Sequence, residues 1–223
     1  MKKVLLAGAV ALFGLSNAQI AKGTVYLSGQ VNYSSVDSRE NNDAKTEDLR
    51  IIPTAGFFVG NNVAVGLGVG YKQSTEKATV TQFSGPYTFR TVGKYTEDAV
   101  VVAPFVRKYW TIADKLYVFG QLEVPMEFGN YKTEAAGTLT DNVNNSVETQ
   151  SISTKTKYTS VGVNIKPGLD YFLNKNWSIE ATFGEFGFNT YKLDAEGAEN
   201  RNDYRFGLNL SSVTFGVKYV FAK

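Results

Sequence analysis

The 223-residue chain contains no cysteine and no histidine. Without cysteine, disulfide staples and thiol chemistry are excluded. Without histidine, the commonest general base and metal ligand is missing. Proline is scarce, at five residues, and only two tryptophans and two methionines occur. After residue 19 there is no apolar run long enough for a transmembrane helix, and no helical periodicity. Glycine and aromatic residues are plentiful, with 21 Gly, 15 Phe and 13 Tyr.

The opening stretch, MKKVLLAGAVALFGLSNAQ, has the parts of a secretory signal. Lys2 and Lys3 form a basic head, Val4 to Leu15 an apolar stretch, and Ser16-Asn17-Ala18 a small-x-small cleavage site. The stretch is short for a membrane anchor. Residues 1–18 are therefore expected to be removed between Ala18 and Gln19, leaving 19–223 as one domain. Loss of Lys2 and Lys3 takes the net charge from +2 to zero, which argues against nucleic acid as a partner.

The remainder divides into eight alternating segments: 23–36, 49–60, 63–74, 96–110, 115–131, 158–173, 177–191 and 204–221. In the third, Val63, Val65, Leu67, Val69 and Tyr71 share one face and Ala64, Gly66, Gly68, Gly70 and Lys72 the other. The connections alternate as well. Asn61-Asn62, the four residues 111–114 and the three residues 174–176 suit tight hairpins. The other four are long and polar and are expected to be solvated, mobile surface, with some residues such as Thr88-Phe89-Arg90 extending the strands. This pattern predicts an all-β, eight-stranded antiparallel up-and-down transmembrane barrel, with short periplasmic turns and long extracellular loops. At about 40° tilt, roughly ten residues cross a 25 Å apolar band, so the segments are long enough.

Parity alone does not say which face is inside. Bulky Val, Leu and Phe fill one face, and glycine with charge fills the other; an eight-stranded lumen suits the second set. Aromatics gather near strand ends, so Phe57, Tyr109, Trp110, Tyr171 and Trp177 are expected in an interfacial girdle. Lys108 is expected to snorkel outward beside Trp110, and Glu185 to lie at the upper rim. Pro53, Pro104 and Pro167 recur at similar heights; each lacks a ladder donor, so a bulge is expected at each. A further bulge is expected around 211–213, where the apolar parity changes.

The chain ends TFGVKYVFAK. Thr214, Gly216, Tyr219 and Phe221 carry the polar-x-Gly-x-x-aromatic-x-aromatic pattern of a last barrel strand. On that motif and the eight segments, the chain resembles the OmpA/OmpX-type, porin-like family of small outer-membrane β-barrels of Gram-negative bacteria. The resemblance implies that the barrel-assembly machinery reads this strand by adding it to an edge. Ala222 and Lys223 depart from it, since many members end on the aromatic residue.

Chemistry-bearing residues converge on the lumen. Arg50, Lys72, Arg107, Lys166 and Arg205 share a face with Glu123, Glu127, Asp170 and Glu180. The carboxylates alone would suit an acid–base pair. Cations beside them favour a salt-bridged plug, because buried unpaired charge is costly. GLGVG at 66–70 lacks the spacing and following helix of a nucleotide loop. The expectation is a non-enzymatic barrel without cofactor or metal, surrounded by outer-membrane lipid. It has a structural or surface-binding role, with extracellular ligands met by the loops. The alternative is a narrow porin-like channel for small or apolar solutes.

Overall fold

The computed structural model describes residues 20–38, 43–207 and 213–221. The described residues form eleven strands: β1 (Val25–Ser38), β2 (Asp43–Gly60), β3 (Val63–Ser84), β4 (Tyr87–Ala113), β5 (Leu116–Glu123), β6 (Met126–Asp141), β7 (Ser146–Phe172), β8 (Trp177–Phe183), β9 (Glu185–Leu193), β10 (Arg201–Gly207) and β11 (Val213–Phe221). All pairings are antiparallel. The sheet closes on itself through β1–β2–β3–β4–β5–β7–β8–β11 and back to β1. Closure leaves no unpaired backbone edge at that height, as a lipid surround demands.

Among the described residues two expected runs are divided, and the last, 204–221, is described only on either side of 208–212. β5 and β6 follow one another between the same neighbours, β4 and β7, with a break at Val124-Pro125. β8 and β9 both pair β7 and are separated by Gly184, whose φ is +78°. β10 pairs β9 and β11 pairs β8. The bulge expected around 211–213 falls largely outside the described residues, as do the signal segment and cleavage site.

The prolines behave differently from expectation. β1 runs in unbroken register past Pro53, and β3 past Pro104. On their other sides the ladder skips a few positions and resumes in the same register. A missing N–H interrupts pairing on one side of a strand only, so no extra residue is needed. The Pro104 carbonyl still accepts the Val124 N–H at 3.0 Å, bridging the break between β5 and β6. Beside Pro167 alone the ladder shifts by one residue, opposite Gly184.

The short turns gather at one end. Asn62, at φ +60°, takes the left-handed conformation an asparagine tolerates. Its side-chain oxygen accepts the Ile20 N–H at 2.8 Å. The Asn174 oxygen accepts the N–H groups of Asn176 and Trp177 at 2.9 Å each, closing the turn before β8. The side-chain amide of Asn176 donates to the Val220 carbonyl. The described N- and C-terminal ends therefore sit together at the short-turn end.

At the other end, two of the expected loops are strand but for a short turn, and the described residues of the first expected loop, 36–38 and 43–48, are strand as well. β3 and β4 pair up to Ser84 and Tyr87, with a turn at Gly85-Pro86. β6 and β7 pair up to Asp141 and Ser146. β4 and β6 pair along the same length, so β3, β4, β6 and β7 form one tall wall above the ring. From 146 to 157, β7 has β6 on one side and no strand on the other among the described residues.

The side chains are arranged inside out. Val65, Leu122 and Ile165 are 37%, 48% and 52% exposed, while Glu123 and Arg107 are buried. Lipid on the outer face would cover a band of Val, Leu, Ile and Phe that water would leave exposed on a soluble protein.

Candidate functional site: the barrel lumen

The lumen is floored by aromatic rings at the short-turn end. Tyr26, Phe58, Tyr109, Tyr117 and Phe119 are buried, with Phe172 packed against them. Successive centroids lie 5.7 Å (Tyr26–Phe58), 5.5 Å (Phe58–Tyr109) and 5.8 Å (Tyr109–Phe119) apart. Glycines on the same face make room. A Cβ on Gly56 would strike the Tyr26 ring, and one on Gly168 the Phe119 ring. This alternation of ring and glycine is how a narrow cylinder is filled to interior density.

Ion pairs are embedded in that floor. Lys218 on β11 meets Asp170 on β7, both with fully buried side chains. The Lys218 ammonium lies 5.3, 4.9 and 5.0 Å from the ring centroids of Tyr26, Tyr109 and Phe172. Arg107 on β4 meets Glu180 on β8 at 2.6 Å across the lumen. Its guanidinium also donates to Gln121 at 2.7 Å and Tyr109 at 3.1 Å, and stacks 4.2 Å from the Phe119 centroid. Ser28 completes the Glu180 carboxylate at 2.5 Å. Aromatic faces and hydroxyls thus replace the water these charges give up.

Higher up, Lys166 bridges Glu123 at 2.5 Å and Glu185 at 3.2 Å, and Arg205 reaches Glu185 at 3.6 Å. Higher still, Lys72 bridges Glu127 at 2.5 Å and Glu97 at 2.7 Å. The Tyr158 hydroxyl donates to Glu97 at 2.6 Å, and its ring stacks on Tyr131 with centroids 4.4 Å apart. Arg50 lines the same space without an ion pair within 4 Å among the described residues.

Two chambers remain open above the floor. The lower, about 490 Å³, lies over Arg107 and Glu180 and is walled by Phe105, Glu123, Lys166 and Arg205. The upper, about 370 Å³, is walled by Lys72, Glu97, Glu127 and Tyr191. Asn32, Arg50, Glu185 and Arg205 border both. Among the described residues no cluster of three or more Asp and Glu is placed to hold a metal ion.

All nine charges expected on the lumen face line the interior wall or its chambers; six form three pairs among themselves, and Asp170 and Arg205 pair with Lys218 and Glu185. Lys218, Glu97 and Glu185 join them, beyond the nine that the sequence reading selects. Lys218 is two residues from Gly216 and Glu97 two from Ala99, so parity held the signal for both. Glu185 was expected at the rim; it turns inward because Gly184 breaks β8 from β9. Tyr109 does not join the outer girdle. It is 1% exposed, inside the barrel, because it shares a face with Arg107, while Trp110 points outward. Phe57, Trp110, Tyr171 and Trp177 are outward and exposed. In the last strand, Gly216 is buried against Gln30 and Glu180, and Tyr219 and Phe221 extend an outer aromatic row from Trp177.

The model described as Outer membrane protein beta-barrel domain matches residues 5–221. The chain belongs to this outer-membrane β-barrel family. The N-terminal β-barrel domain of Pseudomonas aeruginosa OprF aligns over 91% of this chain and 100% of its own, at 12% identity and a TM-score of 0.38. The attachment invasion locus protein Ail of Yersinia pestis aligns over 90% and 99%, at 13% identity and a TM-score of 0.26. Comparison with curated proteins gives no match. As a member of this family the chain is an outer-membrane-type β-barrel, with an exposed apolar band on its outer face and charged side chains buried inside.

Proposed function

We propose that the protein is a non-enzymatic outer-membrane barrel with a structural or surface-binding role, its lumen filled by a charged side-chain network and its recognition surface at the long-loop end. The observation that carries this reading is the floor. Arg107 and Glu180 meet across the axis, and Lys218 and Asp170 sit within a ring of tyrosine and phenylalanine below them. An ion entering from the short-turn end first meets buried rings, and displacing either pair would strand a charge in a dry interior. At the opposite end, the tall wall of β3, β4, β6 and β7 supplies a binding surface. The open edge of β7 from 146 to 157 offers backbone groups to an extended partner. Without histidine or a metal-ligand cluster among the described residues, the lumen carboxylates serve as partners of cations rather than as acid and base.

The two chambers favour a second reading, a narrow channel for small or apolar solutes. Together they open much of the lumen above the floor. Single-channel recording in planar bilayers separates the two. The plugged barrel gives no steady openings, and a Glu180→Ala/Asp170→Ala variant gives them. Steady openings of the unaltered protein would establish the channel instead.

A further inference from the structure

The outer wall changes chemistry on one side, directly above the apolar band. Phe128 on β6, Val161 on β7 and Phe188 on β9 are exposed and face outward. Continuing up the same faces by strand parity come Asn130 and Lys132, Thr159, Lys157 and Lys155, and Thr190 and Lys192. The ladders bring them together. Asn130 pairs Lys157, Lys132 pairs Lys155, and Thr159 pairs Lys192. Lysine directly opposite lysine is unfavourable unless an anion lies between them.

Some outer-wall lysines have carboxylates of their own: Lys45 holds Glu47 at 2.8 Å, and Lys94 and, within this group, Lys132 share Glu134 at 3.9 and 2.7 Å. Lys155, Lys157 and Lys192 make no ion pair among the described residues. Between them lies a groove of about 530 Å³, lined by Phe128, Asn130, Lys157, Thr159, Lys192 and Asp194. Asn130 is held there by its hydrogen bond to Asp98 at 3.2 Å. Asp194 is the single carboxylate on the groove and pairs with neither lysine among the described residues. The groove is thus cationic at its top and apolar at its foot, directly above the outer apolar band.

We propose that this groove binds the phosphate-bearing headgroup of an outer-leaflet lipid. Lys157 and Lys192 clasp the phosphate, and an acyl chain runs down over Phe128. The inference rests on the outer-membrane reading but not on whether the lumen conducts. A free phosphate would use the lysines alone and leave the apolar foot bare.

Native mass spectrometry of the detergent-released protein tests it. The probes are a bisphosphorylated diglucosamine lipid, its dephosphorylated form, and inorganic phosphate. The unaltered protein is expected to hold the phosphorylated lipid roughly tenfold or more tightly than the dephosphorylated one. Lys157→Gln/Lys192→Gln abolishes that preference, Lys157→Arg/Lys192→Arg retains it, and Lys77→Gln leaves it unchanged. The heat-modifiable gel shift of each variant reports the barrel separately, and conductance reports the lumen. Equal binding of the two lipids, an unchanged preference in the Gln double variant, or competition by inorganic phosphate equal to that of the lipid would overturn the proposal.

Discussion

Lys218 and Asp170 meet inside the barrel although their strands are not neighbours. β8 runs between β11 and β7, and Lys218 reaches past Ser178, its own ladder partner, to the carboxylate beyond. The pair therefore ties the last strand to the wall two strands away. It does so at the point where the sheet closes, so closure and ion pairing reinforce one another.

Breaking that pair on one side should be costly. Lys218→Met leaves the Asp170 carboxylate buried among rings, and the expected loss is about 3–5 kcal/mol. Lys218→Met combined with Asp170→Leu removes both charges and should recover most of it. Urea unfolding in lipid vesicles, run as a double-mutant cycle, measures the coupling. A double variant as unstable as the single one would show that the pair is not the source.

Glycines at two heights of the lumen should differ in tolerance. A Cβ at Gly168 would meet the Ala181 carbonyl oxygen at 2.6 Å as well as the Phe119 ring, and backbone cannot give way. At Gly216 the neighbours are the Cγ atoms of Gln30 and Glu180, at 2.9 and 3.1 Å, and the Gly29 carbonyl oxygen at 3.0 Å. Flexible side chains there can shift a few tenths of an ångström. Gly168→Ala should cost about 1–3 kcal/mol, and Gly216→Ala clearly less. The heat-modifiable gel shift, followed against temperature, ranks the two.

The turn between β6 and β7 carries a pH prediction. The Asp141 carboxylate accepts the side-chain amide of Asn144 at 2.8 Å and the N–H groups of Val143 and Asn144 at 2.9 and 3.2 Å. These bonds, the Asn144 amide first, hold its pKa below the ordinary aspartate value. A lowered carboxylate pKa means stabilisation that is fully present above the unfolded value of about 3.9 and lost as pH falls through the folded one. Amide exchange at Val143 and Asn144, corrected for intrinsic rate, should therefore stay slow at pH 4 and quicken only at more acidic pH. Asp141→Asn should abolish that pH dependence.

The membrane half of the fold was legible because one face of each strand there is uniformly apolar. Val63 to Tyr71 and Val161 to Ile165 fix register and direction together. The upper half was not. In 75–95 and 132–157 both faces meet water, so strand leaves no period-two signal and polar composition reads as loop. Pairing of one long hairpin with the next makes those residues strand. Within the lumen, parity placed Arg107 correctly and should have carried Tyr109 with it; nearness to Trp110 drew it into the outer girdle instead. Glu185 could not be placed, since nothing local announces that Gly184 takes a positive φ.

The account stands on the inverted arrangement of its side chains, and the two tryptophans report it most directly. Trp110 and Trp177 are 40% and 45% exposed, outward, at the short-turn end. In vesicles of brominated lipid, each single-tryptophan variant should be quenched, more by bromine near the headgroup than near the acyl terminus. Fluorescence untouched by brominated lipid but quenched by aqueous iodide would contradict it.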